Sequence, residues 1–552
     1  MLDRRNLIVL FAICLCMVLS PRPSLAARPR PNQSVMAELI KSYGPSYVVE
    51  PVVTQSRPSP EAYASLRNMF FRYEESKALG SDLQLNEREL QANQIIMATK
   101  MQEYNEGLIT PHLFKPSQHF FKVLENIKAT DLFRYMSAMP KGAVLHAHDT
   151  AIGSTEYLIK LTYRDNLWVC QNVGGLEAES LVFSKNQPAQ SSDSDCTWSL
   201  MSDVRTKYGG NAVDEYLAER LTLFPTTKFD DNNAAWQQFM TIFSLVNGLL
   251  FYAPVWADYY YNALEEFLAD NVQYVEFRTT LPVLYDLEDT QYTEVDTVRI
   301  YVETLKKFKD AHSDFIGSRM IYAPLRNTNG SVVSDYIKTL LTITELYPDF
   351  VAGFDLVGQE ELGRPLKEFI SELLAVPESI DFYFHAGETN WYGSSVDENL
   401  IDAVLLGTKR IGHGFALVKH PFVLEMLKKL NVAIEVNPIS NQVLQLVTDF
   451  RNHPCSHFFA DGYPVVISSD DPSFWKATPL SHDFYIAFLG IASAHSDLRL
   501  LKKLALNSIR YSSLTVDQQY DALSKWQPKW DAFIEYVITG TQRSAAPSLK
   551  LA

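Results

Sequence analysis

Eight times along the chain a short apolar, β-branched run is bounded by turn residues: 142–148, 272–279, 315–323, 350–358, 380–388, 410–414, 432–438 and 464–471. Runs of this length and composition read as buried strands. Between most of them the apolar spacing changes to the helical period, as in 334–347 and 397–406. Eight alternating β and α units predict a (β/α)8 TIM barrel, with an open doubly wound sheet as the alternative the same alternation allows. Ahead of the first strand, Ser59-Pro60-Glu61 offers an N-cap with Pro at the first helical position, followed by Tyr63, Leu66, Met69, Phe70 and Tyr73 at helical spacing. A second helical segment runs from about Asn86 to Tyr104. A barrel needs neither, so this N-terminal helical extension, residues 27–110, either docks on the barrel (111–552) or makes a homodimer. After the last strand, 498–512 and 516–537 predict closing helices.

One gap breaks the rhythm. The first two strands are separated by far more chain than any other neighbours, which places an insertion, residues 160–228, on the loop after strand one. It holds Cys170, Cys196 and the polar run 190–195, and its apolar content is too low for a core of its own without a disulfide staple. Loops that follow barrel strands lie on one face, so the insertion is expected to overhang or flank whatever site that face carries.

Composition narrows the setting. With 552 residues, 47% of them hydrophobic, the chain can bury one large core plus appended elements. The first residues run basic, then apolar from Leu7 to Leu19, then small at Ser24-Leu25-Ala26, the order of a secretory signal (1–26) rather than of a signal anchor. No later stretch is long and apolar enough to cross a bilayer, so a secreted, extracellular protein is expected. Cys14 and Cys16 would leave with the signal. In an oxidising compartment Cys170 and Cys196 are then the natural pair, worth about 3 kcal/mol in chain entropy, and Cys455 is left as a buried free thiol. Asn32 and Asn329 head acceptor sequons for glycosylation. A formal charge of -16 without a Lys/Arg cluster argues against nucleic acid as a partner.

Four of the eight runs end in residues that bind a transition metal or move a proton: His146 and His148, His385 and Glu388, His413, and Asp470 with Asp471. A parallel barrel collects the C-terminal ends of its strands on one face, where residues distant in sequence meet. His146 and His148 are two apart, so both leave a strand on the same side and can share an ion, with His385 and Asp470 completing the shell. Ligands of N and O type without thiolate suit Zn²⁺, one per chain, with other first-row ions possible. Such an ion makes hydroxide available near neutral pH. His413 is placed to orient or deprotonate the water, and Glu388 to shuttle a proton.

The segments Met139-Pro140-Lys141-Gly142-Ala143-Val144-Leu145-His146-Ala147-His148-Asp149, His385-Ala386-Gly387-Glu388-Thr389, Arg410-Ile411-Gly412-His413-Gly414-Phe415-Ala416-Leu417, Pro438-Ile439-Ser440-Asn441-Gln442 and Ser468-Ser469-Asp470-Asp471-Pro472 resemble adenosine deaminases. With Val351-Ala352-Gly353-Phe354-Asp355-Leu356-Val357-Gly358, the match from about Ala27 onward is similar to the secreted adenosine deaminase 2 or adenosine deaminase-related growth factor branch. The resemblance implies His146, His148, His385 and Asp470 as zinc ligands, Glu388 as proton donor to purine N1, and His413 as base on the water. It further implies that Asp471 contacts the purine ring, that Gly358 offers it backbone, and that Asp149 reaches the ribose. Trp236, Phe239, Met240 and Phe243, at helical spacing, read as core packing but match a family segment that covers the nucleoside. Vertebrate members carry a histidine where this chain has Leu325, which puts one polar substrate contact in doubt. The activity implied is hydrolytic deamination of adenosine and 2′-deoxyadenosine to inosine and 2′-deoxyinosine with release of ammonia, alongside possession of growth-factor activity. Two alternatives stand beside it. An AMP deaminase would need a basic phosphate site, and the His-x-Glu with Pro-Cys-x-x-Cys pattern of nucleic-acid deaminases is absent. A secreted growth-factor-like ligand with weak or no deaminase activity would use the insertion or extension to bind a cell-surface receptor or glycosaminoglycan.

Overall fold

The computed structural model describes residue 57 and residues 59–172, 175–189 and 196–540. The expected signal segment, the Asn32 sequon and the polar run 190–195 lie outside the described residues. The described residues divide into two units between Ser76 and Lys77.

The larger unit is built on eight parallel strands: β1 Gly142–Val144, β2 Val272–Thr279, β3 Gly317–Tyr322, β4 Val351–Phe354, β5 in two pieces, Asp381–Phe382 and His385–Ala386, β6 Arg410–His413, β7 Ala433–Val436 and β8 Val465–Ile467. They run β1-β2-β3-β4 to the first piece of β5, and from its second piece through β6-β7-β8. Backbone bonds close both seams. Between the β5 pieces, Tyr383 N–H donates to Phe354 O at 3.0 Å and Gly412 N–H to Phe384 O at 2.9 Å. Between β8 and β1, Ala147 bridges Asp470 in parallel, His148 N–H donates to Asp470 O at 3.1 Å and Asp470 N–H to His146 O at 3.1 Å. The result is a closed (β/α)8 barrel, not an open sheet.

Every residue of β2 is buried, as befits a strand covered by helices outside and by the barrel interior within. That interior is partly ionic. Arg410 Nη2 donates to Glu276 Oε2 at 2.7 Å and its Nε to Glu435 Oε1 at 2.5 Å. Arg278 Nη2 donates to Glu435 Oε2 and its Nε to Asp355 Oδ2, each at 2.8 Å. All five groups are fully buried, and pairing is what makes their burial tolerable.

β2 fills its expected run 272–279, while the other strands are shorter than their apolar runs. The helix expected over 334–347 is Gly330–Leu346, and starts early because Asn329 Oδ1 caps it by accepting the N–H groups of Ser331 and Val332. In the insertion, a three-stranded antiparallel sheet has the order Ala178–Phe183, Leu167–Gln171, Thr197–Leu200. Cys170 and Cys196 are joined, Cα atoms 5.3 Å apart, and Cys455 is buried and free. This sheet packs on the helix Asn232–Leu250 so closely that a Cβ at Gly248 would lie 2.3 Å from Leu181 O.

The helix Glu87–Ile109 opens with a capping box between Asn86 and Glu89 and belongs to the larger unit. It packs on the C-terminal helices Leu498–Arg510 and Val516–Thr539, and its buried Lys100 Nζ donates to Ser493 O and Ser496 O, each at 2.8 Å. Glu89 Oε1 accepts from Lys502 Nζ at 2.5 Å and Trp530 Nε1 at 2.7 Å. The helix Pro60–Lys77, all but its last residue in the smaller unit, buries none of its residues and leaves Tyr63, Phe70 and Phe71 exposed. Among the described residues no helix is long and apolar enough to cross a membrane.

Candidate active site

Beyond β1 and β8, and within the second piece of β5, the chain delivers His146, His148, His385 and Asp470 to one point, where their ligand atoms lie within 4.8 Å of one another. Asp470 Oδ1 stands 3.2 Å from His146 Nε2 and 3.1 Å from His148 Nε2. His146 Nε2 and Asp470 Oδ1 are buried without a hydrogen-bond partner. Buried polar atoms are normally satisfied, and a cation between them would satisfy both.

Two carboxylates behind the site fix which nitrogens face it. Glu435 Oε2 holds His146 Nδ1 at 2.7 Å, and Asp355 Oδ2 holds His385 Nδ1 at 2.6 Å. Each carboxylate is itself held by Arg278; despite burial, Glu435 is kept well below the usual carboxylate range by Arg278 and Arg410, and Asp355 by His385 and Arg278. Both histidines therefore carry hydrogen on Nδ1 and turn an Nε2 lone pair inward, the arrangement metal-binding histidines adopt. Burial pushes His385 down to about 3, so it is neutral and ligand-competent.

Glu388 follows Gly387, whose φ of 74° lets the chain turn sharply after β5. The N–H groups of Gly387 and Glu388 donate to Glu360 Oε1 and Oε2 at 3.1 and 2.5 Å. Burial, with Asp470 and Glu360 nearby, raises the Glu388 carboxyl well above its ordinary range. Its Oε1 lies 3.5 Å from His413 Nδ1. His413 Nε2 lies 3.7 Å from Asp470 Oδ2. His413 and Asp470 have φ of 60° and 61°, a left-handed backbone that residues with a Cβ seldom adopt.

These groups form the floor of a cleft with a cavity volume of about 210 Å³. Trp236, Phe239, Met240 and Phe243 roof it from the helix Asn232–Leu250. Phe239 also stacks on Trp475 at 6.1 Å, so it both lines the cleft and packs in the core. Asp149, Gly358 and Asp471 line the cleft, as does Leu325, which is half exposed. Asp149 Oδ2 accepts from Tyr301 Oη at 2.7 Å, and burial raises it to about 6. Asn329 is exposed, its Oδ1 occupied by the cap. The structure thus brings together all thirteen residues proposed for metal, catalysis and substrate. Pattern reading passed over the carboxylates Asp355, Glu435 and Glu360, the guanidinium of Arg278, and Asn247, whose buried Oδ1 lines the cleft without a partner.

A family model described as adenosine deaminase matches residues 201–527, and one described as adenosine/AMP deaminase N-terminal matches 11–136. An adenosine deaminase of Lutzomyia longipalpis is 50% identical over 86% of this chain and 94% of its own. Adenosine deaminase 2 of Homo sapiens is 40% identical over 84% of this chain and 92% of its own. Among solved structures, an Arabidopsis N6-mAMP deaminase superposes with a TM-score of 0.53 over 72% of this chain and 99% of its own, at 15% identity, a likeness of fold.

Proposed function

The chain belongs to the adenosine deaminase family and is a deaminase of the hydrolase class, and from that premise we propose that it is a secreted, zinc-dependent enzyme converting adenosine and 2′-deoxyadenosine to inosine and 2′-deoxyinosine with release of ammonia. The observation that carries the reading is the convergence of His146, His148, His385 and Asp470 beside a buried Glu388 under an aromatic roof. The first four would hold the ion. When bound, the ion supplies activation of a water molecule by lowering its pKa. Glu388, kept protonated by burial, delivers its proton to the purine N1, which makes C6 receptive to water; of the water's two protons one then goes to the exocyclic amine, which leaves as ammonia, and the other restores Glu388. His413 holds the attacking oxygen. Asp471 meets the ring, Gly358 offers backbone to it, Asp149 reaches the ribose, and the four roof residues exclude water.

The disulfide between Cys170 and Cys196 supports an extracellular setting. We assign the exposed aromatic face of the helix Pro60–Lys77 to a homodimer contact formed by the 27–110 extension, and the Asn329 sequon to glycan attachment. Purified protein should consume adenosine's ultraviolet absorbance and contain about one zinc ion per chain. Metal-replete protein that leaves the absorbance unchanged overturns the proposal.

A further inference from the structure

The amide of Asn441 connects His413 to a second buried histidine that the deaminase chemistry does not use. Its starting point is a donor with no ambiguity: the backbone N–H of Cys455 donates to His453 Nδ1 at 3.0 Å. That nitrogen must therefore hold a lone pair, which leaves the hydrogen of a neutral ring on Nε2. His453 Nε2 lies 2.8 Å from Asn441 Oδ1, so Nε2–H donates and the amide orientation is decided. With its oxygen committed, Asn441 turns Nδ2–H toward His413 Nδ1 at 3.2 Å. His413 Nδ1 is thereby an acceptor, and its hydrogen resides on Nε2, the nitrogen that looks into the cleft toward Asp470 Oδ2. Burial holds His453 down at about 3, so it remains neutral and the chain of bonds does not reverse near neutral pH. Asn437 is placed with Nδ2 toward His413 Nε2 at 3.5 Å and its buried Oδ1 without a partner; turning this amide end for end gives the oxygen the Nε2–H that the assignment requires.

We propose that Asn441, locked by His453, is a positioning residue that fixes His413 as the Nε2–H tautomer, so that His413 enters the reaction as a hydrogen-bond donor to the attacking oxygen, whose proton passes to the neighbouring Asp470 Oδ2 rather than to His413. This deepens the deaminase reading and rests on it for the reaction, although the tautomer itself does not.

The test is ¹⁵N NMR of metal-replete protein labelled at histidine, the His413 signals being identified by their loss in His413→Gln. The wild type should show His413 with a bare, pyridine-type Nδ1 and a protonated Nε2. Asn441→Asp supplies a second acceptor in place of the amide donor. It should move the hydrogen to Nδ1, with kcat down by about 10²-fold or more while zinc content and KM stay near wild type. His453→Leu, which frees the Asn441 amide to turn, should leave His413 a mixture of tautomers and lower kcat by less. A wild-type His413 protonated at Nδ1 overturns the proposal, as does an Asn441→Asp protein whose tautomer or rate is unchanged. Wild-type protein inert toward adenosine yet showing the Nε2–H tautomer and its switch in Asn441→Asp would refute the deaminase reading and leave the relay standing.

Discussion

Replacing Asp355 by Asn removes one charge and turns one acceptor into a donor, in a carboxylate surrounded by donors. Oδ1 accepts the backbone N–H groups of His385 and Leu356 at 2.9 and 2.7 Å, and Asn retains both bonds. Oδ2 accepts His385 Nδ1–H at 2.6 Å and Arg278 Nε–H at 2.8 Å, and the new NH₂ faces both. His385 then gains by moving its hydrogen to Nε2, the nitrogen needed for the ion. Losing such an outer partner typically costs 10–100-fold in metal affinity, about 1.4–2.8 kcal/mol. Arg278 loses one carboxylate but keeps Glu435 at 2.8 Å, so the folding penalty should fall near the low end of the ~3–5 kcal/mol typical of a broken buried pair. Two assays separate these effects. Competition with a chromophoric chelator reads metal affinity, and urea unfolding of metal-stripped protein reads the fold alone. Metal affinity equal to wild type in D355N would refute the claim that Asp355 sets the ligand nitrogen of His385. Unfolding equal to wild type would refute the account of Arg278.

Glu388→Gln keeps the size of the side chain but has no proton to give. Adenosine turnover should fall by ~10²–10⁴ with zinc content unchanged, and a wild-type rate would remove Glu388 from its role. His482 is buried and pushed down to about 3 from an ordinary 6.5. The unfolded chain therefore binds a proton across that window which the folded ring refuses, so stability falls as pH drops from 6.5 toward 3. His482→Asn keeps an acceptor for Thr478 N–H, bonded at 2.9 Å, and its unfolding free energy should vary less with pH there; an unaltered slope counts against His482 as the source. Gly248→Ala places a methyl 2.3 Å from Leu181 O and must part the insertion sheet from the roof helix. It should cost about 1–3 kcal/mol in unfolding and raise KM for adenosine more than it lowers kcat, and unchanged unfolding would show that the two surfaces are not in contact.

The ends of the apolar runs were the readable part of the site, because barrel topology alone carries His146, His385, His413 and Asp470 to one face. What stands behind them was harder to see. Asp355, Glu435, Arg278 and Arg410 lie in apolar surroundings, where a pattern search treats a charge as noise; a Glu or Arg inside a strand buried on both faces was the available signal, as in Val275-Glu276-Phe277-Arg278 and Ile434-Glu435-Val436. Asn329 was read for the sugar it could carry, which hid its cap and put the start of its helix four residues late. The break in β5 could not be read, since 380–388 is continuous in hydrophobicity and the interruption arises only in pairing. Nor could the link from Cys455 to His413, whose members are set side by side by tertiary packing.

The left-handed backbone at His413 and Asp470 puts thermal endurance and turnover in opposition at two positions. Each holds a conformation that costs a residue with a Cβ about 1–2 kcal/mol, and Asp470 does so among other buried carboxyls, Asp471 and Glu388. A selection for heat tolerance that ignored activity would be drawn there, favouring glycine or asparagine, which occupy that conformation at less cost. Its survivors would melt later and do nothing. Lineages of this fold released from catalysis should therefore lose these two side chains early, by gain in stability as well as by drift.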